Sequence, residues 1–292
     1  MGLLFLRYND ALDVNPPAGD NYLTTNGSNW LWAVTAIFLF TFLVVFAHSF
    51  VARAGERFFH YLFAVGNLVG AIAYYAMASD LAWSVIRQSN SLDRGLTRQI
   101  FFAKYIFWVV SFPVTVLALG VLSGVSWATI LYQIALSWIW VVGYQVAAYT
   151  STNYKWGFFA LATVAWLVLA IATLHWNRQS ANRVGSGRDY TLLAGWVNLL
   201  WLLYPIAWGL SDGGNRIGVV GGFVFFGILD ILMVPVLTYA TIFLSRKWDY
   251  HSLNIAFTQY GRVATAPGTY PEKAPTATPA TAQPAQPDQP AV

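Results

Sequence analysis

The sequence predicts an all-α membrane protein in which seven transmembrane helices form one bundle. Hydrophobic residues make up 57% of the 292 residues and charged residues only 10%, whereas soluble domains devote about a quarter of their residues to charge. A helix that crosses a bilayer needs about 20 mostly apolar residues. Seven stretches meet this requirement: 29–50, 58–79, 99–122, 126–148, 156–176, 190–210 and 217–244.

The two ends of the chain differ in composition from this bundle, which is expected to span 29–248. Residues 1–28 are polar, and their opening apolar run is too short for a secretory signal, so the first helix is expected to act as the insertion signal. Lys and Arg are more frequent after the first and fifth helices and near the C-terminus, which favours an extracellular N-terminal segment and a cytoplasmic C-terminus. Residues 249–292 form the predicted cytoplasmic tail, whose Pro, Ala, Thr and Gln content predicts disorder after about residue 262.

Residue types argue against several kinds of site. The chain has no cysteine, so it has no disulfide and no thiolate. Its histidines lie near helix ends or in the tail and form no close pair with ligand spacing, so no metal is expected. The net charge of +4 is small and the basic residues fall in connections, which argues against nucleic-acid binding. The histidines are His48, His60, His175 and His251.

Aromatic residues, 17% of the chain, are frequent at the predicted helix ends. Tryptophan favours the membrane–water interface, where one part of the ring system is apolar and another is hydrated. Seven tryptophans are therefore predicted to anchor the bundle at the interfaces: Trp30, Trp32, Trp83, Trp127, Trp176, Trp208 and Trp248.

Three local motifs, in the third, sixth and seventh predicted helices, are more specific than the helix count. Residues 98–113 read Arg-Gln-Ile-Phe-Phe-Ala-Lys-Tyr-Ile-Phe-Trp-Val-Val-Ser-Phe-Pro, residues 201–208 read Trp-Leu-Leu-Tyr-Pro-Ile-Ala-Trp, and residues 229–234 read Leu-Asp-Ile-Leu-Met-Val. They resemble the microbial-rhodopsin patterns Arg-Tyr-x-Asp-Trp-x-x-Thr-Thr-Pro, Trp-x-x-Tyr-Pro-x-x-Trp, and Leu-Asp followed by the retinal lysine. The chain thus resembles the microbial (type 1) rhodopsin superfamily, which implies a bacteriorhodopsin-like bundle.

Two further segments, 71–79 and 153–157, resemble fungal members of that superfamily. A lysine-free seventh helix and a polar tail add to this likeness. The chain is therefore similar to fungal opsin-related proteins of the 30-kDa heat-shock type over about residues 29–248. This resemblance implies a plasma-membrane protein linked to stress.

The resemblance also identifies what the chain lacks. Microbial rhodopsins hold retinal as a Schiff base on a lysine of the seventh helix, because only an amine condenses with the aldehyde. Val234 occupies that position. Lys247, the next lysine along the chain, is 17 residues beyond Asp230, or about 25 Å along a helix. No cofactor is therefore expected.

The proton path of the family's pumps is missing as well. Phe107 stands at the position of the carboxylate that accepts the Schiff-base proton, and Ala118 stands at the position of the cytoplasmic proton donor. Phenyl and methyl groups cannot bind and release protons. The sequence therefore predicts a protein that does not pump protons in response to light.

The resemblance implies a degenerate retinal pocket among these three helices. On the sixth helix Trp201, Tyr204 and Trp208 recur at three- and four-residue steps and share one face. An ordinary aromatic packing seam with a kink at Pro205 has the same spacing. The candidate pocket residues are Lys104, Phe107, Trp108, Ser111, Phe112, Trp201, Tyr204, Trp208, Asp230 and Val234.

Lys104 and Asp230 are the two charged residues expected deep inside the apolar segments. A charge at that depth is a candidate functional group. We hypothesise that they interact directly or through water, with Tyr204 donating a hydrogen bond to Asp230. The alternative is a relic pair that only fixes helix packing.

The resemblance implies a non-photochemical protein whose partners are the lipid bilayer and other membrane proteins, such as the proton-pumping ATPase, for which it acts as a regulator or chaperone-like partner. Two alternatives stay open. A binder of a small apolar ligand, either lipid or non-covalent retinal, needs unfilled space between Phe107, Phe112, Tyr204 and Met233. A residual ion or proton channel is less favoured, because only one carboxylate is expected at membrane depth. No catalytic set accompanies Asp230, so no enzyme is expected, and an oligomer is compatible with the sequence.

Overall fold

The fold is a seven-helix bundle, described by a computed structural model for residues 9–52, 57–248, 250 and 253. Within these residues, seven helices are long and apolar enough to cross a membrane, as predicted. They are α1 (Thr25–Val51), α2 (Arg57–Ala78), α3 (Phe102–Ser123), α4 (Trp127–Tyr149), α5 (Lys155–Arg183), α6 (Gly187–Gly213) and α7 (Val219–Ser245). The predicted disordered tail after residue 262 lies outside the described residues.

Local capping explains where several helices begin and end. The first helix starts before residue 29 because the side chain of Thr24 accepts a hydrogen bond from Gly27 N in the first turn. Ser126 caps α4 in the same way by accepting from Thr129 N at 3.2 Å. Gly124 terminates α3, and its φ of +69° is the left-handed conformation that favours glycine after a helix.

A β-hairpin that the sequence analysis did not predict joins α2 to α3. Its strands, β1 (Trp83–Arg87) and β2 (Thr97–Phe101), pair antiparallel. The predicted helix start at residue 99 is therefore wrong, and α3 begins at Phe102. A short apolar run fits a buried strand as well as it fits a helix, and the last four residues of β2 are buried.

The N-terminal segment is hydrogen-bonded to this hairpin. Asn21 N donates to Thr97 O at 3.1 Å, and Gln99 N donates to Asn21 O at 2.9 Å. The exposed Asp20 carboxylate accepts hydrogen bonds from the side chain and backbone of Thr97 and from the backbone of Leu96, which lower the pKa of Asp20. The segment and the hairpin therefore form one hydrogen-bonded unit.

Three spanning helices contain a π-helical stretch: Ala172–Trp176 in α5, Gly209–Gly213 in α6 and Leu232–Val236 in α7. Such stretches widen the helix turn and are frequent at functional sites. The stretch in α7 contains Pro235, which removes one backbone donor. The stretch in α6 contains Asp212, so this helix continues past its predicted end and carries a carboxylate into the protein interior.

Two predictions about single residues are wrong. Trp208, expected at the membrane interface, is completely buried, because its ring stacks on Phe159 of α5 at 4.9 Å. His48 and His60 do form a close pair, with Nδ1 and Nε2 2.8 Å apart, because the chain turns between α1 and α2. Even so, the described part of the chain contains no group of three metal-ligating residues.

Candidate functional site

Lys104, Asp212 and Asp230 lie in two separate polar centres, and the first one joins α3 to α6. Lys104 Nζ donates to Asp212 Oδ2 at 2.5 Å, and both side chains are about 5% exposed. A direct contact of Lys104 with Asp230, one form of the expected interaction, is therefore absent. The end of α6 brings Asp212 to the lysine, which satisfies the ammonium group without Asp230.

Asp212 is the centre of a buried polar cluster. Its Oδ2 also accepts from Tyr105 OH at 2.7 Å, and Trp208 Nε1 donates to the same hydroxyl at 2.9 Å. Arg98 of β2 adds a second cation, with Nε 3.6 Å from Asp212 Oδ1. Burial lowers the pKa of Arg98, while the charge of Asp212 raises it. The cluster therefore holds two cations against one carboxylate.

Sequence reasoning missed Asp212, although a signal was available. Asp212 lies four residues after Trp208 and so continues the face that carries Trp201, Tyr204 and Trp208. The prediction from hydropathy ended the sixth helix at residue 210 and placed Asp212 in the loop between the sixth and seventh helices. A second buried carboxylate was not expected: Asp212 lies near the end of α6, whereas Asp230 lies in the middle of α7.

Asp230 of α7 forms the second centre and is completely buried. The expected hydrogen bond from Tyr204 is present, with Tyr204 OH 2.7 Å from Oδ1. Two further donors were not predicted: Tyr74 OH donates to Oδ2 at 2.5 Å, and Trp108 Nε1 donates to Oδ1 at 3.0 Å. Three donors on two carboxylate oxygens can satisfy an ionised carboxylate without a cation. This explains how Asp230 remains buried without Lys104.

The degenerate pocket is filled by side chains. Aromatic rings of α3, α4 and α6 meet here, and Phe112 lies 4.9 Å from Trp140, 5.8 Å from Trp201 and 5.1 Å from Tyr204 between ring centroids. The ten candidate residues have exposed fractions between 0 and 4%. A side chain that bordered a cavity of ligand size would expose more surface. The space required by the ligand-binding alternative is therefore absent around these residues.

Phe38 of α1 also contributes to this filling and was not among the predicted pocket residues. Its ring stacks on Tyr74 at 5.3 Å and meets Phe107 edge-on at 5.3 Å. Gly70 permits this approach, because a Cβ atom there would lie 2.3 Å from Phe38 Cδ1. The phenyl group that replaces the proton acceptor thus belongs to a three-ring cluster.

Comparison with known sequence families identifies the scaffold. The family model described as bacteriorhodopsin-like protein matches residues 25–234, which include all three motifs and end at the position of the retinal lysine. The chain belongs to the bacteriorhodopsin-like family. The predicted superfamily and its bundle are thereby confirmed.

Fungal opsin-related proteins are among the relatives of this bacteriorhodopsin-like chain. The opsin-like protein carO of Fusarium fujikuroi is 36% identical over 245 residues, which cover 80% of each chain. The 30 kDa heat shock protein of Saccharomyces cerevisiae is 32% identical over 277 residues, covering 86% of this chain and 82% of the relative. The resemblance to fungal proteins of this type is therefore confirmed.

A solved microbial rhodopsin shares the same fold. The light-driven proton pump LR (Mac) from Leptosphaeria maculans is 26% identical, with a TM-score of 0.72 over 77% of this chain and 96% of the pump. The chain is thus an integral membrane protein with the microbial-rhodopsin bundle, and its own side chains fill the interior of that bundle.

A third buried carboxylate, Asp80, lies outside the spanning helices of this bacteriorhodopsin-like chain, between α2 and β1. Its Oδ1 accepts from Gln99 Nε2 at 2.6 Å, and Gln99 Oε1 accepts from Leu23 N at 2.8 Å. Its Oδ2 is buried and has no hydrogen-bond partner in the described part of the protein. Burial raises the pKa of Asp80 from 3.8 to about 6, and the hydrogen bond from Gln99 partly opposes this rise.

Asp80 is expected to make the folded state less stable as pH rises. The pKa of Asp80 is higher in the folded than in the unfolded chain. Below about pH 4 the group is protonated in both states and does not change the free energy of unfolding, whereas above about pH 6 it is ionised in both states and lowers that free energy by its full amount. Asp80→Asn should therefore remove a fall in apparent Tm between these pH values. Thermal unfolding of the purified protein measures this, with the exposed Asp93→Asn as control. Identical pH profiles for Asp80→Asn and the wild type would contradict the expectation.

Proposed function

We propose that the chain is a non-photochemical membrane protein that acts in stress as a regulator or chaperone-like partner of other plasma-membrane proteins. The observation that carries the non-photochemical part is the filled interior around Val234, which stands where the family has its retinal lysine. Side chains of the protein fill the position of the family's ligand site. Interactions with other molecules are therefore expected at the outer surfaces. We further propose that the N-terminus is outside the cell and the C-terminus is cytoplasmic.

The stress link in this proposal is supported by the name of one relative, the 30 kDa heat shock protein, which matches most of both chains. The proton-pumping ATPase is the first partner to test. This choice rests on the resemblance to fungal opsin-related proteins of the 30-kDa heat-shock type. The proposal assigns the chain no catalytic step of its own.

The two other functions considered receive less support. The candidate pocket residues, from Lys104 to Val234, leave no space for an apolar ligand. A channel has two intramembrane carboxylates available, but Asp212 is paired with Lys104 and Asp230 is held by three donors. Aromatic contacts such as Trp108–Phe226, at 5.0 Å, lie between these centres. Neither carboxylate is therefore free to bind and release protons or other cations readily.

The partner proposal can be tested in fungal cells with and without the gene. A biotin ligase fused to the C-terminus should label polytopic plasma-membrane proteins, including the proton-pumping ATPase, more strongly after heat stress than before it. The same ligase fused to an unrelated seven-helix protein of that membrane is the control. Vanadate-sensitive ATP hydrolysis in isolated membranes should differ between deletion and complemented cells after stress only. Equal labelling by both fusions and equal hydrolysis in both strains would contradict the proposal.

A further inference from the structure

A groove lies between the first turns of α6 and the end of α7. It consists of two cavities of about 510 and 400 Å³, which share Arg188, Asp189 and Lys247 as lining residues. Cavities of about 300–1,000 Å³ are typical of sites for small organic ligands. The larger cavity extends along the spanning helices to Leu192 and Leu244. We call the two cavities together the α6–α7 groove.

The groove contains two cations that the described protein does not pair. Arg188 and Lys247 are exposed, and neither side chain forms a hydrogen bond or an ion pair with another described residue. Among the described lining residues there is one carboxylate, that of Asp189, and it accepts a hydrogen bond from Trp248 Nε1 at 2.7 Å. The lining therefore has a formal charge of +1, which favours an anionic ligand.

The start of α6 adds positive potential to the groove. This helix has 27 residues, and partial positive charge accumulates at a helix N-terminus. Its N-cap residue, Ser186, also lines the groove and does not cap the first turn, because Ser186 Oγ donates to Leu122 O at 2.7 Å. The first turn is thus available to an anionic group, as in helices whose N-termini bind phosphate.

An apolar stripe on the outer surface of α6 continues from the groove toward the middle of the membrane. Leu192 is 63% exposed, Leu199 is 57% exposed and Ile206 is 48% exposed. Residues seven positions apart lie on the same face of a helix, since seven residues make about two turns. Positive charge at the helix end is therefore followed, deeper in the membrane, by exposed apolar surface. A ligand that matches both parts has an anionic head group and a long apolar chain.

We propose that the α6–α7 groove is a binding site for one anionic phospholipid. The head-group phosphate lies between Arg188 and Lys247, near the first turn of α6, and an acyl chain follows Leu192 and Leu199. Basic pockets between the ends of spanning helices are suited to anionic head groups. A zwitterionic lipid lacks the net charge, and a free phosphate lacks the apolar part. The site goes beyond the stress-related function proposed above and does not depend on it.

Native mass spectrometry of the purified full chain in detergent tests this site, because it resolves each bound lipid and yields the Kd of the first one. Palmitoyl-oleoyl phosphatidylserine should bind with a lower Kd than phosphatidylcholine with the same chains. Arg188→Gln with Lys247→Gln should raise the phosphatidylserine Kd about 25-fold, since each cation near an anionic lipid surface contributes about a factor of five. The Kd of phosphatidylcholine should not change.

Arg178→Gln with Arg183→Gln is the matched control. Both residues are exposed near the end of α5, on the same side of the bundle as the groove, and neither lines it. This variant loses the same two positive charges and should keep the phosphatidylserine Kd of the wild type.

Three results would overturn the proposal. Equal Kd values for phosphatidylserine and phosphatidylcholine in the wild type would mean that the groove does not select an anionic head group. An equal rise of the phosphatidylserine Kd in both double variants would show a general effect of net charge. Displacement of phosphatidylserine by an equal concentration of glycerophosphoserine, the same head group without acyl chains, would identify a site for free phosphate esters rather than for a lipid.

Discussion

Asp212→Asn is expected to lower the free energy of unfolding by about 3–5 kcal/mol, because it leaves two buried cations without their carboxylate. Lys104 would lose its 2.5 Å ion pair, and Arg98 would lose the one carboxylate that lies within 4 Å of it among the described residues. Asparagine has nearly the same size as aspartate, so the loss reports charge rather than packing. Unfolding of the purified protein in mixed micelles of a mild detergent and sodium dodecyl sulfate measures it.

The double variant Lys104→Met with Asp212→Asn tests whether the loss of stability in Asp212→Asn comes from the unpaired lysine. Removing both members of the pair should recover a large part of the stability that Asp212→Asn loses, since the uncompensated lysine is gone. Asp93→Asn, at an exposed position between the two strands of the hairpin, is the control and should change stability little. If Asp212→Asn is as stable as the wild type, Lys104 and Asp212 are not a buried ion pair.

Asp230→Leu is expected to have the second large effect. It removes the acceptor of three buried donors, Tyr74, Tyr204 and Trp108, and each unsatisfied group costs about 1–3 kcal/mol. The loss should therefore exceed about 3 kcal/mol in the same micelle assay. Asp230→Asn keeps an acceptor oxygen and should cost clearly less.

Tyr74→Phe provides the matched comparison for this centre, because it removes one donor and leaves the carboxylate with two. It should cost about 1 kcal/mol. In the Asp230→Leu background the same change should cost less than in the wild type, since the tyrosine hydroxyl then has no acceptor to lose. Equal costs in both backgrounds would show that Tyr74 and Asp230 are not coupled.

The sequence predicts the bundle well because the bilayer imposes its own requirement on every spanning segment. Each helix needs a long apolar run, and such runs are visible without any knowledge of packing. The lack of a lysine near Val234 is likewise visible in the sequence without any knowledge of the structure. The hydrogen bond from Tyr204 to Asp230 was foreseeable because the motifs place both residues on helices that face each other in the family.

What the sequence did not predict depends on contacts between distant segments. Lys104 pairs with Asp212 rather than Asp230 because α6 continues past its apolar run, and hydropathy does not register such an extension. The β-hairpin was missed because its second strand, Thr97–Phe101, is continuous with the apolar third helix. Phe38 fills the pocket only because Gly70 lies opposite it, and this pairing requires the three-dimensional structure.

The most direct test of the filled interior is retinal titration of the wild type and of Val234→Lys. A lysine-bearing rhodopsin pump in the same detergent is the positive control, and borohydride reduction detects any Schiff base. We predict no visible absorption band and no reduced adduct in either protein, because Phe38, Phe107 and Phe112 are packed where retinal would lie. A pigment in Val234→Lys would contradict the filled interior, and a reducible adduct in the wild type would contradict the absence of a retinal lysine.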